Sequence, residues 1–98
     1  MKIASGKVTL EFFNNEQVAL KHRHLEEVCK SLRKRFQLSA REIDEFDDPV
    51  RCQIGFAIVI PDNWDSLRAQ KLMEEICEVI NAESPIRVIA EDCAVMER

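Results

Sequence analysis

Ninety-eight residues, 46% hydrophobic and 33% charged, make a single ordinary globular domain spanning 1–98; such a composition excludes a disordered chain. The longest apolar run, residues 56–60, is too short to cross a bilayer, and no apolar stretch follows the first lysine, so a cytoplasmic protein is expected. The net charge of −4 excludes a uniformly basic nucleic-acid binder, but the charge is uneven: residues 21–41 hold seven Lys/Arg against two Glu, and residues 42–98 hold five against fourteen Asp/Glu.

The first element is a strand over 7–13, with Val8, Leu10 and Phe12 on one face and Lys7, Thr9 and Glu11 on the other. Asn14-Asn15 breaks it. From 18 to 36 the apolar period becomes helical: Val18, Leu25, Val28, Cys29, Leu32 and Phe36 fall within about 100° of arc. Arg23, Glu27, Lys30 and Lys34 take the opposite side, with Glu26 and Lys30 at the i,i+4 spacing of a favourable pair. Residues 39–46 make a poor strand, because Leu38 and Ala40 share a face and Ile43 then falls out of phase. A bulged edge strand explains that pattern. Asp47-Asp48-Pro49 is a turn.

Residues 52–60 make a central strand, since both faces are small or apolar: Cys52, Ile54, Phe56, Ile58 and Ile60 against Gln53, Gly55, Ala57 and Val59. Pro61-Asp62-Asn63 ends it and offers capping groups. A second helix over 65–81 buries Ala69, Leu72, Met73, Ile76, Val79 and Ile80, with Lys71, Glu74 and Glu78 on its wet face. Ser84-Pro85 breaks the chain before a last strand over 86–95, which sets Ile86, Val88 and Ala90 against Arg87, Ile89 and Glu91. The order βαββαβ, with right-handed crossovers, predicts a ferredoxin-like α+β sandwich: a four-stranded antiparallel sheet with both helices on one face. Cys29 and Cys77 fall in helical patterns and Cys52 and Cys93 in strands; none forms a CxxC pair, and buried free thiols are expected.

Residues 20–59 carry a resemblance to the YlxP-like family, small bacterial proteins named as a domain of unknown function. The matching residues are Leu20-Lys21-His22-Arg23, Ser31-Leu32, Arg35-Phe36-x-Leu38-Ser39-Ala40, Glu42-Ile43-Asp44, Asp47, and Arg51-x-x-Ile54-Gly55-x-Ala57-x-Val59. Ala19, His24 and Gln37 stand where the family pattern has Ser, Arg and Asn. The resemblance implies a ferredoxin-like fold. Family members are often encoded beside translation initiation and ribosome-maturation factors, including ribosome-binding factor A, which implies a role near the ribosome.

The candidate site is the basic first helix. Arg23, Lys30 and Lys34 project from one face, Arg33 and Arg35 flank the apolar stripe, and each phosphate contact would release counterions. A solvated face, and a docking face for an acidic protein, are the competing readings. Lys21 matches the family's lysine and either binds phosphate or pairs with Glu42 or Asp44. The acids Asp44, Glu45, Asp47 and Asp48 lack the glycine-punctuated spacing of a calcium loop and read as a hairpin turn. His22 and His24, two apart, point about 200° away from each other on a helix and cannot share one zinc. The open sheet face, with Lys7, Thr9, Glu11, Gln53, Gly55 and Arg87, lacks the stacking aromatics of sheet-type RNA recognition, because Phe12 and Phe56 belong to the other register. Its apolar members Ala57, Val59 and Ile89 suit a homodimer instead.

With two glycines in the chain no phosphate-cradling loop is present, and no nucleophile is paired with a base. The expected function is a non-enzymatic accessory protein of translation, without cofactor, metal or membrane contact. Its partner would be ribosomal RNA or a ribosome-maturation protein. The alternative is a homo-oligomeric interaction module.

Overall fold

Period-two alternation in two long segments, and 3.6-residue periodicity in two others, set four strands against two helices. A computed structural model of the chain describes residues 1–12, 21–44, 50–82 and 86–97. Its elements are β1 (Lys2–Phe12), α1 (Lys21–Phe36), β2 (Ser39–Asp44), β3 (Arg51–Ile60), α2 (Ser66–Ala82) and β4 (Ile86–Glu97). The strand order is β2-β3-β1-β4. β1 pairs antiparallel with β3 and β4, and β2 with β3. β1 therefore runs parallel to β2, and β3 to β4, each with an antiparallel strand between them. This is the ferredoxin-like sandwich, with β1 and β3 central; the two-sided small or apolar composition of β3 suits that place.

One core lies between the sheet and both helices. Val8 and Leu10 of β1 and Cys52 and Ile54 of β3 are fully buried against Leu25 and Leu32 of α1 and Ile76 and Ile80 of α2. A smaller cluster of Ala4, Ile60 and Ala69 closes the end beside Trp64. α2 starts at a cap, the Arg68 amide donating to the Asp65 carboxylate at 2.8 Å. Asp65, rather than 61–63, does the capping.

Two further expectations shift. β1 begins at Lys2, because β3 and β4 extend far enough to pair with its first residues, whose side chains alone alternate weakly. β4 runs to Glu97 and slips by one residue: Thr9 faces Ala90 while Leu10 faces Val88, leaving Ile89 as a bulge. Beyond the bulge the faces exchange. Ala90 joins the open face and Glu91 the helix side, the reverse of a straight alternation. The bulge expected in β2 lies at Ile43, between the Glu42 and Asp44 pairings. Residues 18–20 of the first helical pattern, the breaks at 14–15 and 84–85 and the turn at 47–49 lie outside the described residues.

Candidate functional site

α1 presents its outer row as its periodicity requires. Arg23, Lys30 and Lys34 are exposed along one side, and Lys30 and Lys34 make no ion pair among the described residues. Arg23 lies 3.9 Å from Glu27, the acid that interrupts the row. Arg33 departs from the expectation. Its guanidinium donates to Glu26 at 2.6 Å and to the Ala40 carbonyl at 2.8 Å, so it ties α1 to β2 instead of facing a ligand. Glu26 thereby pairs with Arg33 and not with Lys30. Arg35 is exposed but turns to the crevice toward α2, beside Phe36, Glu75 and Glu78. Of Lys21 the structure fixes the start of α1; Glu42, one of its two expected partners, lies 3.1 Å from His22 Nδ1. Lys30 and Lys34, with Arg23 two turns away on the same side, thus keep the exposed placement that the helical period gives them. The side chains of 44–49, including the acidic turn, lie outside the described residues.

The opposite layer is the open face of the sheet. The registers place side chains in rows across β3, β1 and β4. Val59, Ile3 and Met96 form an apolar row at one end. Next come Ala57, Ser5 and Ala94, with Ser39 of β2 alongside. The middle row is Gly55, Lys7 and Asp92, with Arg41 of β2 beside Gly55. Gln53, Thr9 and Ala90 follow, the Gln53 amide donating to the Thr9 hydroxyl at 3.3 Å. An ion ladder ends the face: Glu11 accepts from Arg87 at 2.9 Å and lies 3.5 Å from Arg51. The small floor makes a shallow concavity of about 780 Å³, bounded by Ile43, whose side chain rises over Gly55. Phe12 and Phe56 are buried on the other side, at 3% and 4% exposure, so this face has no stacking platform on its central strands.

The cysteines are free. Burial pushes the Cys29 thiol up to about 11, with Arg33 opposing. Burial, then Cys93 and Glu91, push Cys77 up to about 12; Cys93 is raised as well, chiefly by burial. These protonated thiols are poor nucleophiles. The contact between Cys77 and Cys93 was hidden in the sequence, because it depends on the β4 slip that turns Cys93 toward α2. Among the described residues no group of three His, Cys, Asp or Glu side chains is placed to hold a metal.

A family model described as "Protein of unknown function (DUF503)" matches residues 3–93. No curated protein matches the chain. Among solved structures, a Deinococcus radiodurans protein described as an antibiotic biosynthesis monooxygenase aligns over 100% of this chain and 92% of its own, at 15% identity and a TM-score of 0.48. A second antibiotic biosynthesis monooxygenase aligns over 96% of this chain and 97% of its own, at 14% identity and a TM-score of 0.43. The expectation of a non-enzymatic protein does not hold against these structures. At such identities and scores, equally, no activity passes from them to this chain.

Proposed function

The chain belongs to the family of proteins of unknown function called DUF503, and from that premise we propose an accessory protein of translation that binds ribosomal RNA through the outer face of α1. The finer placement, among the YlxP-like proteins, rests on the linked motifs between Leu20 and Val59 and supplies the ribosomal context. The observation that carries the reading is Lys30 and Lys34, exposed one turn apart and unpaired among the described residues, with Arg23 in the same row. Their Cα atoms lie about 6 Å apart along the axis, so two ammonium groups reach successive positions on one phosphate backbone. A chain of net charge −4 is repelled by nucleic acid on average, which favours approach by a cationic face such as α1. The geometry assigns no base readout, so recognition would be of shape and phosphate.

Three phosphate contacts predict a slope of about −2 to −3 in log K against log salt. The test is binding to isolated small ribosomal subunits at low salt, for wild type and for R23E/K30E/K34E. Reversal should abolish co-sedimentation, and Glu27→Gln should tighten binding by relieving the row of its one acid. Normal co-sedimentation of the triple variant would show that α1 is not the binding face. The rival reading, a homo-oligomeric module, uses the other layer of the molecule and is compatible with this one.

A further inference from the structure

We infer that the open sheet face binds a second copy of this chain, face to face, about a two-fold axis parallel to the strands. The inference is independent of RNA binding by α1, which lies on the opposite layer.

The rows are complementary under one symmetry operation. A two-fold axis along the strands, running between the two sheets over the β1–β3 boundary, keeps each row at its own level and exchanges left for right. Each strand of the order β2-β3-β1-β4 then lies over its counterpart in the reversed order: β2 over the second copy's β4, and β3 over its β1. In the middle row Arg41 meets Asp92 of the second copy, twice by symmetry, and Lys7 lies across Gly55, beside the Ile43 side chain that reaches over that glycine. Arg41, Lys7 and Asp92 are exposed and make no ion pair among the described residues; Lys7 faces Asp92 across β1 and β4, while Arg41 is set opposite Gly55 and has no acid across from it in a lone chain. At one end Ile3 meets Val59 of the other copy, and Met96 packs beside them. At the other end Arg51 lies over Glu11, extending the ion ladder across the interface. Between these, Ser5, Ala57 and Ala94 face their own kind and let the sheets approach closely.

The other in-plane axis, perpendicular to the strands, fails this test. It would set Val59, Ile3 and Met96 against the Arg51–Glu11–Arg87 ladder. Only one of the two arrangements is self-complementary, as an isologous interface must be.

The area suffices. β3 and β1, about 4.8 Å apart, overlap their counterparts along five rows about 6.8 Å apart, and β2 and β4 along the three rows that β2 reaches, which makes roughly 520 Å² per copy in projection. The pair buries about 1,000 Å², the lower bound for a specific interface. The apolar residues standing on this face fit that role: Val59 is 63% exposed, Met96 50% and Ile43 47%. All three are large side chains with nothing over them in the single chain.

The experiment is light scattering and sedimentation equilibrium on the wild-type chain, on Arg41→Asp, on Asp92→Arg and on the combined swap. Wild type should run at twice 11.4 kDa at micromolar concentration. Each single reversal sets like charges opposite each other at two symmetric points and should raise the dimer Kd at least tenfold. The combined swap should restore it. Ala57→Glu, on the floor, should give monomers of unchanged circular dichroism. A wild type that stays monomeric at high micromolar concentration overturns the inference. So does a dimer that ignores the reversals, or one that the swap fails to restore.

Discussion

Gly6 shows how one residue conditions the core. Its backbone needs no special freedom, since no glycine has positive φ; what it lacks is volume. A Cβ there would sit 2.6 Å from the Phe56 ring and 2.8 Å from the Cys93 sulfur. The ring lies across the neighbouring strand in the space the glycine leaves, packed with Cys93 against the main core. Gly6→Ala should therefore destabilise by about 1–3 kcal/mol, the usual cost of forcing volume into a filled interior. Urea unfolding would read it as a lower midpoint at constant slope. The cause can be isolated by pairing it with Phe56→Leu: the double variant should lose less than the two singles added together. Strict additivity would place the strain somewhere other than against the ring.

The end of α1 carries a comparable constraint at the scale of the element. The helix stops at Phe36, and Gln37 takes a φ of 54° while its amide still donates to the Arg33 carbonyl at 3.0 Å. Glycine or asparagine suits that left-handed position better. Gln37→Gly is expected to raise stability by about 0.5–1 kcal/mol, visible as a higher thermal midpoint. A lower midpoint would mean the side chain contributes more than the backbone loses. This helix end also shows what could be read from sequence. The α1 stripe, the β3 alternation and the Ile43 irregularity are local patterns, and each appears where its period put it. The whole architecture follows from them, because βαββαβ order and right-handed crossovers leave few alternatives. The slip at Ile89 was illegible, because a bulge is decided by what the partner strand needs opposite Thr9 and Leu10. That one residue moved Ala90, Glu91 and Cys93 to new faces and hid both the thiol contact and the middle row of the open face. Arg33 misled for a related reason: a helix wheel shows its angle but not the Ala40 carbonyl within its reach. Lys30 and Lys34 were legible because nothing packs against them.

At the scale of the molecule, layering separates roles. The core is sealed between helices and sheet, the cationic row faces outward from one layer, and the open face of the sheet forms the other boundary. Because the core is apolar, it holds its thiols neutral, and that links stability to alkaline pH. Cys29, 1% exposed, and Cys77, 6% exposed, are raised from an ordinary 9.0 to about 11 and about 12. Below pH 9 both thiols are protonated in the folded and the unfolded chain, so pH has no purchase on them. Above pH 9 the unfolded chain releases these protons and the folded chain retains them. Folding then binds protons, and stability must fall as pH rises, by up to about 1.4 kcal/mol per pH unit for each thiol until its folded value is reached. Exposed lysines and growing net negative charge act in the same range and call for a control. Urea midpoints under reducing conditions at pH 8, 9, 10 and 10.5 should decline for wild type above pH 9. They should decline less steeply for the Cys29→Ala/Cys77→Ala double variant, which keeps the same lysines and the same surface charge. Parallel declines in the two proteins would mean that these thiols ionise as readily inside the fold as outside it, and that water reaches the space between the helices and the sheet.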